Sequence, residues 1–325
     1  MILEALVKFI ISCIGLVACG SALVRSLSKI SYFLRISEFV AGFLIISIST
    51  SLPELFVGIQ SALSGMPGLS LGTVIGSNIA DLTLIVGIAM ILSRKIAVQS
   101  KTIKKDAMLM VAMATLPLAL MYIGKELSRI DGIILLAAFA WFEYRMIKQR
   151  RSFHKQLKDH VSHKEAIISM AFLCASILGL YAASKFAVDY AQELSILVGI
   201  PPILIGLILL ALGTGLPELT FESIAALNNH PDMALGDVIG SVVTNSTLVL
   251  GVTALIMPIS VDFLLFLVSG LFLITSAIIF TSFVEARYLT WKVGIGLVML
   301  YIIFIIVELE IKGVPIGKLL LGNVN

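Results

Sequence analysis

Residues 49–54 of this chain read Ser-Thr-Ser-Leu-Pro-Glu, and residues 213–218 read Gly-Thr-Gly-Leu-Pro-Glu. The two segments lie 164 positions apart, and the similarity continues on both sides of them. Over the 46 positions from Gly42 to Gly87, 18 residues are identical to those found 164 positions later. The matches include glycine, proline and glutamate, which a shared apolar composition does not align. The sequence therefore predicts an internal repeat.

The sequence around both segments is strongly apolar. The 325 residues are 59% hydrophobic and 13% charged, with a mean hydropathy of +1.07, whereas soluble domains carry about 25% charged residues. One bilayer crossing needs about 20 apolar residues. Ten such stretches are predicted, near residues 2–24, 38–63, 69–93, 106–124, 130–148, 165–188, 200–227, 233–256, 260–283 and 290–309. The predicted fold class is an all-α integral membrane protein with ten transmembrane helices.

Each copy of the repeat contains five of the predicted spans. Because five is an odd number, the second copy enters the membrane from the opposite side, and the two copies form inverted five-helix repeats. We predict a first repeat at residues 1–148, a basic linker at residues 149–164 and a second repeat at residues 165–325.

The basic residues predict the orientation in the cell membrane. Seventeen of the 23 lysines and arginines fall on the side of the linker and six on the other side. The positive-inside rule therefore predicts a cytoplasmic linker 149–164 and both termini outside. Residues 2–24 have no basic leader and are expected to remain as a span. His154, His160 and His163 leave a metal or lipid site open, although a solvated linker is the preferred interpretation.

Composition also excludes several classes of function. The net charge of +3 does not indicate a nucleic-acid partner, because the basic residues lie in short segments between spans, where membrane orientation explains them. Cys13, Cys19 and Cys174 lie inside apolar stretches and are odd in number, which indicates neither a disulfide framework nor a thiolate metal site. No cofactor is predicted. The expected partners are the lipid bilayer and transported ions, and the chain is expected to function as a monomer.

Each quoted segment has a glutamate, Glu54 or Glu218, beside a proline near the middle of a predicted span. Proline has no N–H group and clashes with the carbonyl four residues earlier, so the carbonyls of Ser49 and Gly213 lose their helical partner. Within a membrane such carbonyls must face protein or a polar cavity. A bound cation is one way to satisfy them.

A residue with a hydroxyl side chain lies four positions before each of these glutamates. In the span that follows each glutamate, a serine lies four positions before an aspartate or an asparagine. This spacing places both members of each pair on one helix face. The pairs are Thr50 and Glu54, Ser77 and Asp81, Thr214 and Glu218, and Ser241 and Asn245. Gly72 and Gly76, with their repeat counterparts, are expected to permit close helix approach. Four helices are thus predicted to bring oxygen ligands together.

Three carboxylates inside the membrane have no basic residue near them in sequence. One charge at the bilayer centre costs on the order of 2.5–3.5 kcal/mol. A protonated carboxyl bonded to a neighbouring helix could explain one of them, but it is a poor explanation for three in repeat-related motifs. Ligands that are all oxygen, without histidine or cysteine, select hard cations such as Ca²⁺ and Na⁺.

The paired motifs resemble the two alpha repeats of the cation/calcium exchanger superfamily, most closely the prokaryotic sodium/calcium exchangers. The specific resemblance covers residues 41–92 and 205–256. It implies exchange of Na⁺ for Ca²⁺ by alternating access, with the first and sixth helices sliding across the bundle. It also implies that Ca²⁺ binds to Glu54 and Glu218 and to the carbonyls of Thr50 and Thr214. The implied sodium ligands are both glutamates, the hydroxyls of Ser77, Ser241, Thr50, Thr214 and Ser51, and the carbonyls of Ser47 and Ala211.

This chain departs from the family pattern at three positions. Similar family members usually carry asparagine at the position of Asp81, and the prokaryotic and potassium-dependent branches carry aspartate at that of Asn245. The acid and the amide are therefore swapped between the repeats, while the number of carboxylates stays at three. Asn245 argues against potassium dependence. Gly215 stands where the first repeat has Ser51, and this leaves a three-sodium stoichiometry open.

Two further acids have competing interpretations. Glu222, one turn after Glu218, could be an added ligand or a proton carrier, and a residue of the cytoplasmic vestibule is preferred. Asp237 is interpreted as a helix N-cap in preference to a ligand.

Three other functions stay open. A proton/calcium exchanger is the main alternative, although that branch resembles Gly-Asn-Ala-x-Glu instead of Thr-x-Leu-Pro-Glu. A cation channel would use similar oxygen ligands, but converging acids and amides fit binding and release better than conduction. A membrane enzyme such as an intramembrane hydrolase predicts substrate turnover without a cation gradient.

Overall fold

The computed structural model describes residues 2–33, 46–93, 95–97, 101–150, 162–227, 231–261, 263–286 and 288–311. The start of the second predicted span and most of the linker, with His154 and His160, lie outside the described residues. The α-helices are α1 (Ile2–Phe33), α2 (Ile46–Thr50), α3 (Leu52–Leu63), α4 (Pro67–Ala80), α5 (Val86–Ser93), α6 (Lys101–Gly124), α7 (Arg129–Arg150), α8 (His163–Val198), α9 (Pro202–Ile205), α10 (Ala211–Thr214), α11 (Leu216–Leu227), α12 (Pro231–Thr244), α13 (Leu250–Ile256), α14 (Phe263–Glu285) and α15 (Trp291–Ile311).

The only strands among the described residues are two short ones. They are β1 (Lys95–Ala97) and β2 (Tyr288–Thr290), which pair antiparallel with Ile96 opposite Leu289. A separate antiparallel bridge joins Leu127 to Ile259. The described chain is therefore helical apart from these short links between connecting segments.

Seven helical segments among the described residues are long and apolar enough to cross a membrane. They are Ile2–Leu27, Pro67–Ser93, Ile103–Gly124, His163–Val198, Met233–Ile256, Phe266–Glu285 and Trp291–Ile311. A bent pair, Pro202–Thr214 and Leu216–Leu227, makes an eighth with a 44° bend. Of the other two predicted spans, residues 38–63 are described only from residue 46 onward, as α2 and α3. The helix α7 covers residues 130–148 but carries Asp131, Glu143 and Arg145.

The helix boundaries repeat at the sequence offset of 164. The helices α3 and α4 begin and end 164 residues before α11 and α12. The helix α4 continues into a π-helical turn at Asp81–Ile85, and α12 continues into one at Asn245–Val249. A third π-helical turn, Gly206–Leu210, joins α9 to α10. Single π-helical turns inside α-helices frequently mark functional sites, and two of these begin at predicted site residues.

The prolines interrupt both motif helices, as predicted. Ser51, between α2 and α3, has φ −79° and ψ 0°. Gly215, between α10 and α11, has φ −78° and ψ 0°. These angles lie in the bridge region outside regular α-helix. The two interruptions therefore have the same backbone geometry, and each is followed by a proline and a buried glutamate.

Glycines allow the two repeats to cross closely. A Cβ atom at Gly72 would collide with the backbone carbonyl of Ile203, and one at Gly206 would collide with that of Leu69. The helix α4 therefore packs directly on the segment from α9 to α10. The predicted role of Gly72 in close helix approach is confirmed.

Two hydrophobic clusters form the core. The larger contains side chains from α4, α6, α12, α14 and α15. The smaller is built mainly from α1 and α8, which pack along each other and reach Val57, Leu69 and Leu210. The first and sixth predicted spans thus share a core of their own beside the central helices.

Candidate functional site

Two pairs of hydroxyls join the repeats at the predicted site. The Thr50 Oγ1 and Ser241 Oγ atoms are 3.3 Å apart, and the Ser77 Oγ and Thr214 Oγ1 atoms are 3.4 Å apart. The offset of 164 converts one pair into the other. All four side chains are at most 2% exposed. The structure therefore brings these predicted ligands together as two symmetry-related contacts between the repeats.

Two more polar contacts between the repeats flank this centre. The Asn78 side chain donates a hydrogen bond to Ser246 Oγ over 2.8 Å. The hydroxyls of Ser70 and Thr253 are 3.0 Å apart. The sequence pattern does not predict these two contacts, because nothing local indicates which distant side chain each of the four residues meets.

Five buried carboxylates lie around the hydroxyl pairs. Glu54, Asp81, Glu218 and Glu222 are each 1% exposed, and Asp237 is 3% exposed. Glu218 lies close enough to interact electrostatically with the carboxylates of Glu54, Asp81 and Asp237. The Glu54 carboxylate also lies against the Thr214 hydroxyl. Negative charge from both repeats is therefore concentrated at the centre of the helix bundle.

No lysine or arginine in the described part of the chain balances the charge of these carboxylates. None of the five carboxylates forms an ion pair with a described lysine or arginine. One oxygen of each of Glu54, Asp81 and Glu218 lacks a hydrogen-bond partner there. No group of three or more histidine, cysteine, aspartate or glutamate side chains among the described residues has an arrangement that could hold a metal ion. Any cation at this centre therefore needs hydroxyl and carbonyl ligands in addition to carboxylates.

The remaining predicted ligands lie nearby in sequence but have fewer contacts. The Ser51 hydroxyl and the Asn245 Oδ1 atom are buried and lack hydrogen-bond partners among the described residues. The Ala211 carbonyl accepts a hydrogen bond from the Gly215 N–H over 3.1 Å. Ser47 lies in α2, and its side chain is outside the described part of the structure. The structure thus leaves open acceptors at Ser51 and Asn245.

The structure changes the interpretation of both additional acids. Asp237 is the seventh residue of α12, so the prediction that it caps the N-terminus of that helix is wrong. Its carboxylate lies against the Thr50 hydroxyl. Glu222 is buried at 1% exposure, in contrast to the preferred interpretation as a vestibule residue. Both residues belong to the buried polar centre.

One aromatic residue near the site was not predicted. Tyr301 in α15 is 5% exposed, lies within electrostatic range of Asp81, and has a hydroxyl without a partner among the described residues. Nothing in the apolar sequence around Tyr301 indicates this, because its neighbour Asp81 is 220 positions away.

Comparison with known proteins shows the family to which this chain belongs. The sequence matches the family described as "Sodium/calcium exchanger protein" over residues 4–148 and 168–309. The chain belongs to the sodium/calcium exchanger protein family. It is 30% identical to the sodium/calcium exchanger MaX1 of Methanosarcina acetivorans, with 93% of this chain and 98% of that protein covered. It is also 30% identical to the inner membrane protein YrbG of Escherichia coli, with 80% and 82% covered.

A solved structure also matches this chain. The sodium-calcium exchanger NCX_Mj, soaked with 2.5 mM Na⁺ and 10 mM Sr²⁺, has 26% sequence identity and a TM-score of 0.67. The match covers 94% of this chain and 99% of that chain. These findings confirm the predicted resemblance to prokaryotic sodium/calcium exchangers. They identify the chain as a member of a membrane transporter family.

Proposed function

We propose that this protein exchanges Na⁺ for Ca²⁺ across the membrane by alternating access to the buried centre between the repeats. The observation that carries this proposal is the pair of contacts Thr50 to Ser241 and Ser77 to Thr214, placed among buried carboxylates. Hydroxyl and carboxylate oxygens are suitable ligands for hard cations. The family and the names of its members support calcium and sodium as the transported ions.

Calcium is assigned to the two motif glutamates. In the proposed state, Glu54 and Glu218 bind Ca²⁺ together with the carbonyls of Thr50 and Thr214. The interruptions at Ser51 and Gly215 support this assignment, since a broken helix exposes backbone carbonyls that a regular helix would use. The charges of the two glutamates balance those of one calcium ion.

Sodium is assigned to an overlapping set of oxygens. The proposed ligands are Glu54, Glu218, Ser77, Ser241, Thr50, Thr214, Ser51 and the carbonyls of Ser47 and Ala211, with Asp81 and Asn245 completing the polar layer. Because the same glutamates serve both ions, Na⁺ and Ca²⁺ compete for one site. Exchange is obligatory if, in addition, only the ion-loaded protein changes the side to which the site is open.

We further propose ten transmembrane helices arranged as two inverted five-helix repeats, with α7 and the segment containing α2 and α3 as the two additional spans. The repeated helix boundaries of α3 and α11 support the repeat. The excess of basic residues on the linker side supports a cytoplasmic linker 149–164 and outside termini. The site lies within one chain, which supports a functional monomer.

The test is calcium flux in proteoliposomes that contain the purified protein. An outward sodium gradient should drive ⁴⁵Ca²⁺ uptake, and collapse of the gradient with a sodium ionophore should stop it. A proton gradient of equal size is the discriminating condition. Uptake driven by protons without sodium would replace this proposal with proton/calcium exchange, and uptake that persists without either gradient would indicate a channel.

A further inference from the structure

A second acidic layer lies one helical turn from the central site. Glu222 follows Glu218 by four residues on α11, and Asp237 precedes Ser241 by four residues on α12. Four residues of α-helix rise about 6 Å. The helices α11 and α12 pack against each other, and both steps lead toward the helix ends that residues 228–230 connect. Glu222 and Asp237 therefore extend the central site toward one side of the membrane.

The acids of this layer form no ion pair with a lysine or arginine in the part of the chain that the structure describes. Both carboxylate oxygens of Glu222 lack a hydrogen-bond partner among the described residues, and the only group there that Asp237 faces as a donor is the Thr50 hydroxyl. Glu222 interacts electrostatically with Asp237 and with Asp81. Asp237 also lies against the Thr50 hydroxyl, which belongs to the proposed central site. Burial of uncompensated charge is strongly unfavourable, so a bound cation would stabilise the charged form of these two acids.

The first repeat has a closed and neutral layer at the same position. Gly58 is the counterpart of Glu222, and a Cβ atom there would lie 2.7 Å from Thr253 Oγ1 and 3.0 Å from Ser70 Oγ. Thr73 is the counterpart of Asp237, and its hydroxyl donates to the Leu69 carbonyl over 2.9 Å. The first repeat therefore has neither charge nor room for an ion in this layer.

The second repeat has smaller residues at the positions that correspond to the two neighbours of Gly58. Ala89 and Ala234 occupy the positions that correspond to Thr253 and Ser70, and both alanines are buried. The side chain of Glu222 stands where the first repeat has only Gly58. An apolar or amide side chain of similar size would fill the same volume, so packing alone does not account for a carboxylate.

We propose that Glu222 and Asp237 form an accessory binding layer for a hard cation, Na⁺ or Ca²⁺, between the central site and the membrane side at which α11 ends and α12 begins. This inference rests on the proposed function, because it assigns the layer to the same transported ions. A carboxylate layer on one side only makes cation binding asymmetric. Transported cations are bound more tightly from the side of residues 228–230 than from the opposite side.

The test compares Glu222→Gln, Asp237→Asn and the double variant in oriented proteoliposomes. Sodium is titrated on each side in turn, and the concentration for half-maximal calcium exchange is measured. A thiol-reactive probe on Asn229→Cys identifies the side of residues 228–230. On that side the double variant should need roughly tenfold more sodium, since the affinity for hard cations depends on the number of charged ligands. The sodium dependence on the opposite side should not change.

Glu143→Gln is the matched control. Glu143 is an acid of α7 that has an unpartnered carboxylate oxygen and no electrostatic interaction with the five central carboxylates. Its amide variant should leave both sodium dependences at the wild-type value. All variants keep side-chain volume, and each should elute from a size-exclusion column as the wild type does.

Two flux results would overturn the accessory layer. Wild-type sodium dependence on both sides in the double variant would mean that these acids bind no transported cation. An equal loss on both sides would assign them to the central site. Absence of sodium-driven calcium flux in the wild type would instead contradict the proposed function. In that case, unchanged equilibrium binding of ²²Na⁺ and ⁴⁵Ca²⁺ to the detergent-solubilised double variant would overturn the layer, and reduced binding would support it.

Discussion

Glu54 and Glu218 occupy the same place in the two repeats, directly after the helix interruptions at Ser51 and Gly215. Both are 1% exposed, and each has one carboxylate oxygen without a partner among the described residues. This combination distinguishes them from acids that only fill space in a helix bundle. Their charges should therefore be essential for binding a divalent ion.

The first prediction concerns these two charges. Glu54→Gln and Glu218→Gln should each reduce sodium-driven ⁴⁵Ca²⁺ uptake by roughly a hundredfold or more, since loss of one member of a buried charge interaction costs about 3–5 kcal/mol. The amide keeps volume and hydrogen bonding, so the variants should fold as the wild type does. Glu143→Gln should retain full uptake. Wild-type uptake in either motif variant would contradict the assignment of the calcium site.

The second prediction concerns the acid and amide at repeat-related positions. Asp81 lies within electrostatic range of Glu54 and Asp237, whereas Asn245 is neutral. Asp81→Asn should weaken the sodium dependence of exchange more than it weakens calcium binding, because Asp81 adds a negative charge beyond the two calcium ligands. The double variant Asp81→Asn with Asn245→Asp should recover transport, since the total charge is unchanged.

Sodium-driven calcium flux and equilibrium ⁴⁵Ca²⁺ binding of the single and double variants are the measurements for this prediction. A single variant identical to the wild type in both would place Asp81 outside the ion site. A double variant as defective as the single one would mean that the two positions are not interchangeable. Tyr301 would be the first residue to test as the cause of this difference, because it lies within electrostatic range of Asp81.

At the scale of elements, α1 and α8 form a unit beside the central helices. They share a hydrophobic cluster, and the side chain of Cys19 in α1 meets Gly179 in α8. The same helix α1 also contacts the central helices, where Cys13 meets Gly213 of α10. If α1 and α8 slide together across the site during exchange, only the second of these contacts must change.

The third prediction uses these two contacts as disulfide positions. A Cβ atom at Gly213 would lie 3.1 Å from Cys13 Cβ, and one at Gly179 would lie 3.5 Å from Cys19 Cβ, distances close to the roughly 3.5–4.5 Å of disulfides. Oxidation of Gly213→Cys should stop calcium exchange, and reduction should restore it, because the bond fixes α1 to the site. Oxidised Gly179→Cys should remain active, because its bond joins two helices that move together.

Mass spectrometry establishes that each disulfide has formed before flux is measured. Gly213→Cys combined with Cys13→Ala is the control that cannot form the bond, and it should respond neither to oxidant nor to reductant. Full activity of the oxidised Gly213→Cys protein would contradict movement of α1 relative to α10.

For the molecule as a whole, the proposed inverted repeats make the two sides of the membrane similar in structure, so the basic residues are what distinguishes one side from the other. Seventeen of the 23 basic residues fall on the linker side. The end of α8 near Gln192 lies on the opposite side in the proposed arrangement. Orientation is thus a property that the charge distribution predicts and that labelling can measure.

The fourth prediction is made for a variant without Cys13, Cys19 and Cys174. A cysteine introduced at residues 150–160 should react with a membrane-impermeant maleimide only from the cytoplasmic side, whereas Gln192→Cys should react only from outside. Labelling of both from the same side in intact cells and inverted vesicles would contradict the five-plus-five inverted arrangement.

The amino-acid sequence was enough to predict the helical class, the repeat and the breaks at the motif prolines. These features depend on local rules: apolar length, the missing proline N–H, and the four-residue spacing that places Thr50 and Glu54 on one helix face. It also selected the buried hydroxyl and acid residues of the centre. It placed Asp237 at a helix N-cap, which is wrong because α12 begins six residues earlier, at Pro231.

Which of these side chains meet depends on how the helices pack, and it could not be predicted from the sequence. The contact of Thr50 with Ser241 joins residues 191 positions apart, and it forms because Gly72 and Gly206 let the repeats cross with their backbones in contact. The position of Asp237 beside Thr50 follows from the same crossing. Helix periodicity fixes the face of a residue on its own helix, but the partner of that face depends on how the helices pack against each other.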